Sequence, residues 1–259
     1  MIKIPRHIFC RPLSVKSAAD KSIYQKLRSD TGFPFIKIKE ALLENENDPV
    51  KAHLWLKDKA ASENWEKAQK LSQRETAQGI VGVLSIPGFV SMSALQCETE
   101  SVSKNQYLKE LLNHCNRALQ NLDSNGNVSP DSLLDLSYNG KITSDVLTNT
   151  IGHLGENIKV KGCFKFKLTH PEISAHKYVH KKSECDISGL SGGAICSLAV
   201  FRNLNDEALG NTIAQHIVGS ESTISLHDQP LLQDESITIG QLCKKFNFNI
   251  IDYCRMSAQ

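Results

Sequence analysis

His170, His176 and His180 are the imidazoles that gather closely enough in sequence to raise the question of a metal ion. His176 and His180 fall in or beside an extended segment, where four residues of separation spread two side chains along one face instead of converging them. No second group of Cys or His has ligand spacing, so a metal centre is not expected. Residues 123–130 (DSNGNVSP) carry the residue types of a calcium loop. Yet Gly126 stands at position four where the loop needs its glycine at six, and Leu134 occupies the place of the bidentate glutamate. Gly189-Leu190-Ser191-Gly192-Gly193-Ala194 is glycine-rich. It lacks the lysine-hydroxyl ending of a phosphate-binding loop and leads into an apolar run, which predicts a turn entering a strand. No nucleophile-elbow or zinc-protease signature is present. The expectation is therefore a binding protein, not an enzyme, with no cofactor and no metal of its own.

Composition narrows the partners. Thirty basic against 28 acidic residues leave a formal charge of +2, without the clustered excess that direct nucleic-acid binding requires. No run of 18 apolar residues occurs, so no membrane-spanning helix is expected. The eight cysteines are scattered without a CxxC pair and several sit in apolar runs, as Cys196 does, so they read as reduced thiols. Residues 1–19 contain Lys3, Arg6, Arg11 and Lys16 and no acid before Asp20. With Ser14, Ser17 and scattered apolar residues this predicts an organelle presequence; Pro5 and Pro12 interrupt any long helix there, and a basic disordered tail is the alternative.

Elements that could hold a binding surface follow from periodicity. A capping-box pattern at Ser22–Gln25 predicts a short helix through Arg28. Pro34 opens a second helix with Phe35, Ile38, Ala41 and Leu42 at helical spacing. Asp48-Pro49, an N-cap followed by a first-turn proline, starts a third that runs to about Ala61. Residues 62–79 read as a helical or irregular connector. Two strands, 80–86 and 89–98, flank the turn Pro87-Gly88, and a helix is expected over 102–121. Short helices at 131–137 and 144–155, strands at 160–167, 173–179 and 194–201, a helix at 206–218, another near 238–246 and a strand near 249–256 complete the pattern. Helices mixed with strands that need antiparallel pairing predict an α+β fold.

Three separated stretches carry a resemblance to the elongation factor Ts family. Leu27 to Gly32, Lys39 to Leu42 and Asp48 to Leu56 resemble its N-terminal module. Ile151-Gly152-His153-Leu154-Gly155-Glu156-Asn157-Ile158 is similar to its GENI segment. Ile213 to His216, Gln229-Pro230 and Thr238 to Leu242 resemble its IAMH, QPF and TVGQL elements. The resemblance implies a ubiquitin-associated-like three-helix bundle over 20–62. A core of two α+β subdomains with antiparallel sheets, 63–158 and 159–259, would follow a mitochondrial presequence at 1–19. With only 12 residues between His216 and Gln229, the family's coiled-coil insertion has no room, as in its mitochondrial branch.

What the resemblance implies about function is a non-enzymatic factor of the mitochondrial matrix that promotes GDP release and GTP exchange on mitochondrial elongation factor Tu. The implied interface residues are Arg28, Phe35 and Ile36 in the N-terminal module, Thr99-Glu100-Ser101-Val102 after the second core strand, and Gly193 and His216. At the family's hallmark TDFVA element this chain has Thr99-Glu100-Ser101-Val102-Ser103. Glutamate keeps the charge of the aspartate one methylene farther out, and serine replaces the phenylalanine wedge. Loss of such an anchor, typically worth ~2 kcal/mol or more, keeps an alternative open: a partner that stabilises elongation factor Tu without exchanging its nucleotide.

Overall fold

The computed structural model describes residues 21–31, 34–185, 187–220 and 223–259. The expected presequence lies outside them. The chain divides into two compact units, one ending at Ser62 and one spanning Glu63–Gln259.

The first unit holds helices α1 (Lys21–Thr31), α2 (Phe35–Glu44) and the start of α3 (Pro49–Leu71). Ile38, Ala41 and Leu42 of α2 are fully buried against Leu27, Ala52 and Leu56, the apolar stripe that the spacing predicts. Asp48 caps α3 by accepting from the backbone N–H of Val50 (2.9 Å) and Lys51 (3.2 Å). Two boundaries differ from expectation. α1 starts at Lys21, which puts Ser22 inside its first turn, and runs on to Thr31. α3 continues ten residues beyond Ala61, because the polar stretch there has no Pro or Gly to stop it and Ala68 and Leu71 find apolar cover.

In the second unit β1 (Gln78–Ile86) and β2 (Phe89–Cys97) form a hairpin. They are followed by the short α4 (Glu100–Ser103), α5 (Gln106–Ala118), β3 (Gly126–Val128), α6 (Pro130–Leu134), the two-residue strands β4 (Ser137–Tyr138) and β5 (Lys141–Ile142), and α7 (Thr143–Leu154). Then come β6 (Ile158–Lys167), β7 (Ile173–Ser183), β8 (Leu190–Arg202), α8 (Glu207–Gly219), β9 (Pro230–Leu231), β10 (Asp234–Thr238), α9 (Ile239–Phe246) and β11 (Asn249–Ser257). A seven-stranded antiparallel sheet runs β11-β8-β1-β2-β6-β3, with β7 on the opposite edge of β8. The protein is α+β.

Strand periodicity sorts the cores. Ile80, Leu84, Phe89, Leu95 and Cys97 point to the side covered by α5 and α7, where Leu108, Leu111, Leu112, Cys115 and Ile151 are buried. The alternate residues Val81, Val83, Val90, Met92 and Ala94 meet Phe164, Phe166, Cys196, Leu198 and Val200. The sheet thus folds over on itself along β8, whose residues 190–193 pair with β1 and 195–202 with β11. The other side of β8, with Ala199 and Phe201, is covered by Ile213 and Ile217 of α8 and by Ile239 and Leu242 of α9.

The helix expected over 102–121 is broken. α4 ends at Ser103, and Asn105 recaps the chain by accepting from Tyr107 N–H (2.9 Å), which separates a short exposed tip from the long packed helix α5. The 123–130 loop contains β3, paired to residues 163–165 of β6. β8 begins at Leu190, four residues before the expected 194, so that Gly192 and Gly193 are strand residues.

Candidate functional site

The exposed tip after β2 is positioned by a clamp. Thr99 is the N-cap of α4; its Oγ1 accepts from Val102 N–H (3.4 Å) and donates to Glu156 Oε1 (2.6 Å), and its own N–H donates to Glu156 Oε2 (3.0 Å). Glu98 accepts from the backbone N–H of Asn157 (2.7 Å) and pairs with Arg74 at 3.5 Å. The Asn157 amide is buried and donates to the carbonyls of Ser72 (3.3 Å) and Arg74 (2.6 Å). The chain can deliver Glu156 and Asn157 here because Gly155, with φ +71°, ends α7 in the left-handed conformation that costs glycine least. Burial, chiefly, pushes the Cys97 thiol up to about 12, so it stays protonated and donates to Thr99 O.

At this tip Val102 is buried and anchors α4, while Glu100 and Ser101 face outward. Glu100 pairs with Lys104 at 2.8 Å, and that lysine holds its carboxyl below the ordinary glutamate value. Glu100 lines a cleft of about 870 Å³ whose far side is the β7–β8 edge, including Gly193. Two of the sequence-expected segments, more than 90 residues apart in the chain, therefore meet at one feature.

Gly193 is buried between β7 and β1, opposite Lys182 and Val81. A Cβ there would lie 2.5 Å from Val179 Cγ1, 2.7 Å from His180 O and 3.3 Å from Lys181 O. The missing side chain lets β7 press close at the point where Lys181 takes φ +49°.

His216 stands apart from that cleft, on α8 and 3% exposed. Its Nδ1 accepts from Leu232 N–H (3.2 Å), which leaves the proton on Nε2 to donate to Gln229 Oε1 (2.8 Å). Gln229 in turn accepts from Ser220 Oγ (2.8 Å) and donates to Ile224 O (2.9 Å). Both ring nitrogens are committed to holding the 224–232 segment. In the first unit Ile36 is 81% exposed and Phe35 45% exposed, although Ile38 on the same helix is fully buried. The Arg28 guanidinium lies 5.0 Å over the Phe35 ring, and Tyr24 stacks on that ring at 6.2 Å. Arg28, Phe35 and Ile36 thus make one cationic and apolar outer surface instead of packing the bundle.

Sequence reasoning missed Glu156, Asn157 and Arg74 as the residues that hold the segment after β2. The signal for the first two was available: they lie inside the GENI-like stretch and are the bonding partners of the segment that follows β2.

A family model described as "Elongation factor Ts, mitochondrial, N-terminal" matches residues 6–66, and one described as "Elongation factor TS" matches residues 98–224. Among curated proteins, elongation factor Ts, mitochondrial, of Xenopus laevis is 32% identical, over 92% of this chain and 86% of that protein. The protein of the same description from Homo sapiens is 28% identical, over 97% of this chain and 87% of its own length. That from Rattus norvegicus is 28% identical, over 94% and 85%. The family matches define the class, a translation elongation factor. The chain belongs to the elongation factor Ts family, in its mitochondrial branch.

Proposed function

We propose that this chain binds mitochondrial elongation factor Tu in the mitochondrial matrix and promotes release of GDP, so that GTP can replace it. The observation that carries this reading is that Glu100 and Gly193, both matched to GTPase-contacting positions of the family, line a single cleft beside the clamped tip. Glu100 is directed outward with its charge kept by Lys104, as a carboxylate competing for the partner's Mg²⁺ would have to be. Ser101 lies beside it, small and exposed. Arg28, Phe35 and Ile36 supply a second contact from the three-helix module over 20–62. Thr99 and His216 act by holding the elements that touch the partner, and Val102 seats the tip. The two halves of the core, 63–158 and 159–259, supply the two sides of the cleft, and residues 1–19 direct import.

The mechanism is differential binding. Elongation factor Tu holds GDP through phosphate-loop amides and Mg²⁺, charge-assisted contacts that make release slow. A factor that prefers the nucleotide-free conformation weakens GDP binding, and linkage requires GDP to weaken the factor by the same ratio. The test is the affinity of residues 20–259 for mitochondrial elongation factor Tu, nucleotide-free and at saturating GDP. The reading predicts at least tenfold weaker binding with GDP, a coupling of about 1.4 kcal/mol. Equal affinities would remove exchange. Ser101, with no apolar wedge to insert, favours that second reading of a stabilising partner, and wild type compared with Ser101→Phe separates the two: under the exchange reading the wild type already speeds GDP release, under the other it binds without doing so and release appears only when the wedge is restored.

A further inference from the structure

The same cleft carries charge that nothing so far uses. Lys104 and Lys109 line it from the α4–α5 side, Lys181 and Lys182 from β7. The carboxylate side chains on the lining are Glu100, already taken by Lys104, and Glu184. Among the described residues Lys109, Lys181 and Lys182 have no ion-pair partner, and Lys182 sits close enough to Lys177 to repel it. Gln259 also borders the cleft, with its carbonyl oxygen held by Lys161. Lys181 adopts a left-handed backbone, a conformation that costs a non-glycine residue of order 1 kcal/mol or more. It does so against Gly193, where the carbonyls of His180 and Lys181 fill the space of the missing Cβ. The fold thus kinks a strand at two consecutive lysines and turns them to a cleft that already holds two more.

We propose that this cleft is an anion-accepting groove that seats an acidic segment of the partner GTPase between Lys109 and the Lys181–Lys182 kink. The inference rests on the binding reading above and adds the chemistry of what enters. An acidic protein segment fits better than a phosphate backbone: Glu100 and Glu184 on the lining repel a continuous polyanion, and the lining offers no Phe, Tyr, Trp or Arg to stack successive bases, His180 being its one ring. Exposed lysines of this kind act mainly on encounter and on salt dependence. Lys104, shared between the groove and Glu100, would be drawn toward an entering carboxylate, freeing Glu100 at the moment the partner docks.

The test uses full-length chain and intact mitochondrial elongation factor Tu, with binding measured across a range of salt concentrations. Lys181→Glu combined with Lys182→Glu is compared with wild type and with Lys244→Glu, an exposed lysine on α9 away from the cleft lining. Expected is a loss of about tenfold or more in affinity at low salt, with a shallower salt dependence, for the double variant and not for Lys244→Glu. Melting curves show whether the variants remain folded, and Lys109→Glu, outside the strand kink, repeats the test from the other wall. Unchanged affinity and salt dependence in both would overturn the groove. Weakened binding of a generic RNA with unchanged binding of the GTPase would overturn it in favour of nucleic acid. Wild-type protein that fails to bind the GTPase at all would overturn the underlying reading instead.

Discussion

Thr99 receives two hydrogen bonds' worth of restraint from one carboxylate, and that arrangement decides how firmly the exposed tip is presented. Glu156 takes both the Thr99 hydroxyl proton and its N–H, while Thr99 spends its lone pair on the α4 N-terminus. Replacing Glu156 by Ala leaves these donors to solvent. The expected result is a modest stability loss of about 1 kcal/mol with a larger fall in GDP-release activity. Glu156→Gln, which keeps one acceptor, should recover part of the activity. A fall in melting temperature without loss of activity would make the clamp merely structural. His216 shows the same logic in the other half of the core: Nε2 ties the IAQH stretch to Gln229 and Nδ1 ties it to the backbone of Leu232, two residues beyond Pro230.

At the scale of elements the close approach of β7 to β8 depends on Gly193. Gly193→Ala places a methyl against Val179 Cγ1 and the His180 carbonyl, backbone that cannot step aside without breaking strand pairing. The variant should be destabilised by about 1–3 kcal/mol, the range for overpacking, measured by denaturant titration. A neutral result would mean that β7 moves freely and that the kink at Lys181 is not held from below. This element also shows what the sequence could and could not reveal. Strand residues such as 80–86 were legible because they form a short apolar run, buried on both faces, that ends at the Pro87-Gly88 turn signal. The glycine pair of β8 was not: glycine reads as a turn locally, and only the approach of a third strand makes it a strand residue. The break between α4 and α5 was hidden for another reason: no Pro or Gly marks it in residues 102–121, and a single Asn cap interrupts the backbone. For the candidate site, resemblance supplied the positions to look at, while which of them face outward and which are tied inside depended on burial that spacing does not specify.

For the whole molecule, two histidines make stability depend on pH. Burial is the leading cause that lowers His114 below its ordinary value, with Lys141 adding to it. His176, packed edge-on against Phe201, is lowered by burial in spite of a hydrogen bond that it donates to Asn211 and the nearby Glu207 and Asp206. A histidine whose folded pKa is depressed binds its proton more readily when unfolded. Folding stability is then highest above the ordinary value near 6.5 and falls as pH drops through that value toward the folded pKa. Melting temperature should decline between pH 7 and 5, and His114→Gln should flatten part of that decline. A pH-independent stability over this window would show that both rings are solvated.

The central claim is exchange itself, and release of labelled GDP from mitochondrial elongation factor Tu tests it most directly. With residues 20–259 present in substoichiometric amounts, release should accelerate severalfold or more and continue over many turnovers, since a factor displaced by GTP is free to act again. An unaltered release rate in a mixture where the complex demonstrably forms would contradict the account and leave the chain a holding partner of the GTPase.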